Sequence, residues 1–75
     1  MVELVKYIAQ SLVEKPEAVD VREVPGEDSI VIELRVDPDD MGKVIGKQGR
    51  IAKAIRTVVK AASVKLPKPV FVEII

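Results

Sequence analysis

Cysteine and histidine are both missing from this 75-residue sequence. Without them the chain cannot form a disulfide, a thiolate nucleophile, a Cys/His metal site or an imidazole general base. The remaining hydroxyl and carboxyl groups show no pairing typical of a nucleophile with its base. We therefore expect no enzyme activity, no metal site and no cofactor.

Long apolar runs are missing as well. No run approaches the ~20 residues of a membrane span, and charges at Glu3 and Lys6 interrupt the first segment, which does not resemble a signal peptide. Apolar residues nevertheless make up 48% of the sequence, enough for one small core. We expect one domain over residues 1–75, cytoplasmic and without membrane insertion.

Charge is distributed unevenly along the chain, although the formal net charge is zero. Residues 1–40 hold eleven acids and four bases, a net charge of −7. Residues 41–75 hold eight bases and one acid, a net charge of +7. A basic half suggests a polyanionic partner, although a basic helix can also be a solvated face.

Hydrophobic periodicity predicts helices at residues 2–14, 38–44 and 50–65 and strands at residues 19–24, 29–36 and 70–75. Asp37 and Pro38 are typical of a helix start, and Pro67 is expected to end the last helix. A three-stranded sheet with helices packed on one face would bury the apolar stripes. On the last helix the predicted core stripe is Ile51, Ala54, Ile55, Val58 and Ala62, and Val44 of the preceding helix is also assigned to the core.

The segment Gly46-Lys47-Gln48-Gly49 lies directly before the last predicted helix. Glycine can adopt positive φ and lets another molecule approach the backbone closely. The start of the following helix offers free N–H groups and the positive end of its dipole, so the segment predicts an anion site. A nucleotide-binding P-loop does not fit because its spacing and its Ser or Thr are absent. An EF-hand starting at Asp37 fails because Gln48 stands where the bidentate glutamate belongs.

The string Val44-Ile45-Gly46-Lys47-Gln48-Gly49 resembles the VIGxxG signature of KH domains, and residues 50–56 are similar to the bacterial form of that motif. Chain length and element order resemble the KhpA (YlqC) family of small bacterial single-KH-domain RNA-binding proteins. The resemblance implies an α+β fold of the type II KH class, αββααβ, with a mixed three-stranded sheet. It also implies binding of single-stranded RNA without catalysis.

The resemblance also implies roles for the loop. The RNA groove of the family is framed by the helices on either side of the loop and by the edge of the second strand. Ile45 would form part of the aliphatic floor under the bases, and Gly46 and Gly49 would let phosphates approach. Lys47 would meet phosphate charge, and Gln48 would hydrogen-bond to sugar or phosphate.

Charge adds further candidate contacts with the RNA backbone, namely Lys43, Arg50 and Lys53. More distant bases, Lys60, Lys65 and Lys68, are assigned to the solvated periphery. The only aromatic residues are Tyr7 and Phe71, and neither lies near the loop in sequence. Base stacking at the loop is therefore not expected, and an RRM, which stacks bases on aromatic rings, is disfavoured.

Two functional hypotheses of different class remain open. The first is an RNA chaperone or post-transcriptional regulator that binds single-stranded RNA. The second is an interaction adaptor that dimerises with itself or with a partner, RNA contact being secondary. The resemblance implies pairing with a KhpB (Jag-type) RNA-binding protein in control of cell elongation and envelope growth. Exposed apolar residues such as Val31, Phe71 or Ile75 are candidates for a dimer surface.

Overall fold

The computed structural model describes all residues, 1–75, and shows the predicted order of elements. Their bounds are α1 (Val2–Leu12), β1 (Asp20–Pro25), β2 (Ile30–Arg35), α2 (Met41–Ile45), α3 (Arg50–Ala62) and β3 (Val70–Ile74). Short 3-10 turns lie at Pro16–Ala18, Pro38–Asp40 and Lys47–Gly49. None of the helices is long and apolar enough to cross a lipid bilayer.

The sheet has three strands in the order β1-β2-β3. β1 and β2 are antiparallel, whereas β2 and β3 are parallel, so the sheet is mixed. Ile32, Leu34 and Val72 are buried on the face that the helices cover, while Phe71 lies on the other face and is exposed. The α+β architecture and the KH-like topology predicted from the sequence are confirmed.

The central position of β2 corrects one expectation about the groove. Because β2 pairs with β1 on one side and β3 on the other, it has no free edge for a ligand. The free edge beside α3 belongs to β3. The N–H of Ile30 donates to Pro69 O at 2.9 Å, and that of Ile75 donates to Leu34 O at 2.9 Å. In a parallel ladder only every second residue of a strand bonds to a given neighbour. Since residues 69 and 75 bond to β2, the backbone polar groups of residues 70, 72 and 74 lie on the open edge of β3.

The orientation of α3 differs from the prediction. Its buried residues are Ala52, Ile55 and Val59, whereas Val58 is 44% exposed and Ala54 and Ala62 are exposed. The core assignments of Val44 and Ile55 are confirmed, and those of Val58, Ala54 and Ala62 are wrong. The helix has apolar residues on two adjacent sides. The side that packs on the sheet is shifted by about one residue from the predicted stripe, so that Ala52 and Val59 are buried and their neighbours Ile51 and Val58 are not fully buried.

The exposed part of the predicted stripe, Ala54 and Val58, instead lies on an apolar groove between α3 and α1. Its lining includes Ile8 and Leu12 from α1 and Ile51, Ala54 and Val58 from α3. Leu12 and Val58 remain substantially exposed in this groove. Part of the apolar surface of the chain is therefore not covered by the chain itself.

Two helices end earlier than predicted. α1 ends at Leu12 because Val13 adopts an extended backbone, with φ −94° and ψ 162°. α3 ends at Ala62, and the chain then turns, with the N–H of Leu66 donating to Ser63 O at 3.0 Å. The predicted end at residue 65 is too late because this turn precedes Pro67.

Candidate functional site

The loop between α2 and α3 is held in a left-handed turn. Gly46 has φ 77° and ψ 171°, Gln48 has φ 58° and ψ 26°, and Gly49 has φ 73° and ψ 15°. The N–H of Gly49 donates to Gly46 O at 3.1 Å, and that of Arg50 donates to Lys47 O. Gln48 is the only residue other than glycine with positive φ. Such backbone strain is concentrated at functional sites.

The two glycines of the loop meet different surroundings. A Cβ on Gly46 would lie 2.5 Å from Cγ1 of Ile51, so this glycine packs directly against the first turn of α3. A Cβ on Gly49 would meet nothing within 4 Å. Gly46 therefore joins the loop to the fold, whereas Gly49 presents bare backbone to solvent, where another molecule can approach closely.

The side chains around the turn combine positive charge with apolar surface. Lys47, Gln48 and Arg50 are exposed, and Nη2 of Arg50 donates to Oε1 of Gln48 at 3.1 Å. Ile45 is 37% exposed at the end of α2. The fold brings these residues together around the loop, as the sequence predicts. None of the ion pairs of the molecule includes Lys47, Arg50 or Lys53, whose charges are free for a ligand.

Lys43 is in a different electrostatic position. Its Nζ lies 3.6 Å from a carboxylate oxygen of Asp40 and 3.9 Å from one of Glu14. These carboxylates partly neutralise the ammonium group. Among the predicted cationic contacts, Lys43 is the one already engaged by acidic side chains.

Asp40 is a buried carboxylate whose role the sequence did not reveal. It is 2% exposed and accepts hydrogen bonds from the backbone N–H groups of Glu14 at 3.2 Å and Lys15 at 3.1 Å. Burial by itself raises the pKa of Asp40, but these two hydrogen bonds and the Lys43 ammonium outweigh burial and lower that pKa below 3.8. From the sequence, Asp40 is interpreted only as part of a helix start. Its hydrogen-bond partners lie 25 and 26 positions away in the chain, so no local sequence pattern indicates them.

A cleft extends the basic surface from the loop along α3. It has a volume of about 460 Å³ and lies between the second half of α3, the segment 63–69 and β3. Arg56, Lys60 and Lys68 contribute cationic side chains to its lining. Sequence reasoning assigned Lys60 and Lys68 to the periphery and gave Arg56 no role. The available signal was the helical spacing of Lys53, Arg56 and Lys60, which places them near one another on α3.

Comparison with known proteins yields close relatives over the full chain. A family model described as KhpA/KhpB, KH domain, matches residues 2–74. The chain is 72% identical to the RNA-binding protein KhpA of Clostridium perfringens over 75 residues, covering 100% of both chains. It is 67% identical to the protein of the same name from Caldanaerobacter subterraneus, again covering 100% of both chains. The KhpA of Aquifex aeolicus is 51% identical over 97% of this chain and 92% of its own length.

Two solved structures of Era resemble the fold. A single-residue variant of Aquifex aeolicus Era bound to GDP.AlF4- superposes with a TM-score of 0.64 and 27% identity, over 97% of this chain and 28% of that chain. Era in complex with MgGDPNP and nucleotides 1506–1542 of 16S ribosomal RNA gives a TM-score of 0.63 and 27% identity, over 99% of this chain and 30% of that chain. This chain thus corresponds to less than a third of Era. With the sheet topology, the glycine turn and the full-length match taken together, the chain belongs to the KhpA/KhpB family of KH domains.

Proposed function

We propose that this protein binds single-stranded RNA without catalysis, with the Gly46–Gly49 loop as the clamp on the sugar-phosphate backbone. The observation that supports this proposal is the left-handed turn, which exposes the backbone at Gly49 beside the unpaired Lys47. A G-x-x-G loop of this kind holds about four nucleotides in KH domains. Relatives up to 72% identical are named RNA-binding proteins.

The residues in and beside the loop have different roles in the proposed binding. Lys47, Arg50 and Lys53 neutralise phosphates, Gln48 hydrogen-bonds to sugar or phosphate, and Ile45 supplies apolar surface under a base. Lys43 contributes less than these cations because Asp40 and Glu14 already attract its ammonium group. Three to five neutralised phosphates give a log–log salt slope of roughly −2 to −3.5 for a single strand.

Fluorescence anisotropy of labelled single-stranded RNA across a salt series tests the proposal. We expect wild-type binding that weakens with salt at the slope given above. We expect the double variant Lys47→Asp/Gln48→Asp to lose binding, because it places two carboxylates where the phosphates would lie.

The control variant is Lys6→Asp/Ser11→Asp, which changes the net charge by the same amount on exposed positions of α1. It should retain most of the binding, and both variants should unfold in urea near the wild-type midpoint. Absence of RNA binding by the wild type, or equal binding by the folded loop variant, would refute the loop assignment.

We also propose the cellular role that the family resemblance implies: an RNA chaperone or post-transcriptional regulator that acts with a KhpB-type partner in cell elongation and envelope growth. A specific observation supports pairing with another chain. The groove between α1 and α3 is lined almost entirely by apolar side chains, with Leu12 37% and Val58 44% exposed. A helix of a second copy, or of a KhpB-type partner, would cover this surface.

Sedimentation velocity of the wild type and Val58→Glu tests pairing between copies. We expect the wild type to dimerise, and we expect Val58→Glu to be a folded monomer because it puts a charge into the apolar groove. Val64→Glu is the control, since Val64 is 77% exposed outside this groove. A wild type that stays monomeric at high concentration, or a dimer unaffected by Val58→Glu, would contradict the use of this groove for self-association.

A further inference from the structure

Arg56 occupies a defined position in the cleft between α3 and β3. Its Nε donates to the carbonyl oxygen of Val72 at 3.3 Å. That carbonyl lies on the open edge of β3, and the side chain of Arg56 lines the cleft. No carboxylate competes for the guanidinium, because Arg56 takes part in none of the ion pairs of the molecule.

The bond to Val72 fixes the guanidinium and leaves most of its donors free. Of its five N–H donors, one is used by Val72 O, and the remaining four belong to the two terminal nitrogens. Two parallel donors on a rigid plane match a ligand that offers two adjacent acceptors. Apolar side chains in the same cleft, those of Val64 and Leu66, can contact the faces of a planar ring.

The cleft also lies on the path that RNA held at the loop would take. Arg56 follows Arg50 by six positions on α3, which corresponds to about 9 Å along the helix axis. If one nucleotide of a strand is held at Gly49, the next nucleotide or the one after it can therefore place its base at Arg56. Lys60 lies one turn further along α3 and also lines the cleft.

We propose that Arg56 is a specificity-determining residue that selects cytosine or guanine in this cleft, an inference that rests on the proposed RNA binding. Guanine presents the adjacent acceptors O6 and N7, and cytosine presents O2 and N3. Uracil carries a proton on N3 between its two carbonyl groups, and adenine places its amino group beside both N1 and N7. Only the first two bases can accept both parallel hydrogen bonds from the guanidinium.

The test measures the affinity of a uridine-rich hexamer in which a single position is varied. The four natural bases are placed there in turn, together with 7-deazaguanine, which lacks N7, and 3-deazacytosine, which lacks N3. Each RNA is titrated with wild type, with Arg56→Lys, which keeps the charge but loses the planar donor pair, and with Arg50→Lys. The last variant is the same substitution at the loop end of α3. Urea unfolding verifies that all three proteins are folded.

We expect the wild type to prefer cytosine or guanine over uracil and adenine by roughly tenfold. The deaza analogue of the preferred base should lose this preference. Arg56→Lys should bind all four bases within about twofold of one another, while Arg50→Lys should weaken binding to all of them and keep the preference.

Equal wild-type affinity for the four bases would overturn the assignment of Arg56 alone and leave the loop as an RNA clamp. A uniform weakening by Arg56→Lys with the preference retained would also overturn it, since Arg56 would then be a phosphate contact. A wild type that binds none of the hexamers would overturn the RNA-binding proposal itself.

Discussion

Gly46 and Gly49 stand at equivalent ends of one turn, yet the fold needs them for different reasons. Both have positive φ, which glycine adopts without strain. Only Gly46 is also in contact with another element, since the side chain of Ile51 fills the space where its Cβ would lie. Within these four residues, Gly46 therefore matters mainly for the stability of the fold, and Gly49 matters mainly for the access of a ligand to the backbone.

Alanine substitutions should show this difference. Gly46→Ala combines backbone strain with overpacking against Ile51 and should reduce the free energy of unfolding by about 2–4 kcal/mol. Gly49→Ala has room for its methyl group and should reduce it by only about 1 kcal/mol, the strain of a left-handed residue. Urea denaturation followed by circular dichroism measures both values. Equal losses at the two positions would contradict the contact between Gly46 and Ile51.

Individual residues also show how far the sequence could predict the geometry of the candidate site. The loop was predictable because glycine, lysine and a helix start lie next to one another in the chain. Asp40 and Arg56 were not, because their partners, the N–H groups of Glu14 and Lys15 and the carbonyl of Val72, come from distant segments. The ion pair of Lys43 with Glu14 was likewise not predictable, because only the fold brings these two side chains together.

Among the secondary-structure elements, α3 shows why helix position is easier to predict than helix orientation. Its first residue, Arg50, was predicted correctly because the glycine turn marks it. Its buried face was predicted only in part. Ile55 is buried as predicted, but Ala52 and Val59 are buried in place of Ala54 and Val58, because apolar residues occur on both adjacent sides of the helix. The stripe that meets the sheet depends on the packing of α3 against β3, a contact with another segment that the periodicity of α3 alone does not reveal.

The connection between α1 and the segment before α2 depends on one carboxylate. Asp40 accepts the N–H groups of Glu14 and Lys15 just after α1 and also attracts Lys43 in α2. Its pKa is lower in the folded than in the unfolded state. The carboxylate therefore stabilises the fold above pH 3.8, and this stabilisation is lost as the pH falls through the folded-state pKa.

Asp40→Asn should reduce the melting temperature at neutral pH, because it removes the charge and one acceptor from buried donors. The difference from wild type should shrink as the pH falls below 3.8, since the wild-type carboxyl then becomes protonated as well. Thermal unfolding between neutral and acidic pH measures this. Glu27→Gln removes a carboxylate at an exposed position in the turn between β1 and β2 and is the control; its melting temperature at neutral pH should stay near that of the wild type. A melting-temperature difference between Asp40→Asn and wild type that does not depend on pH would show that the charge of Asp40 contributes nothing to stability.

Over the whole molecule, the separation of charge along the chain becomes a separation in space. The acidic residues 1–40 build α1, β1 and β2, whereas the basic residues 41–75 build α2, α3 and β3. In the sheet, β1 and β3 lie on opposite edges. A polyanion is therefore attracted to the side with α3 and β3 and repelled from the other, although the net charge of the protein is zero.

The parallel pairing of β2 with β3 also has a consequence for how the chain folds. β1 and β2 are joined by a short turn, but β3 can bind β2 only after α2, the glycine loop and α3 have been passed. Contacts of such high sequence separation form slowly, because a long loop must be closed first. Until β3 binds, β2 is itself an exposed strand edge. Aggregation is thus favoured in the interval before the last strand docks, whether during synthesis or during refolding.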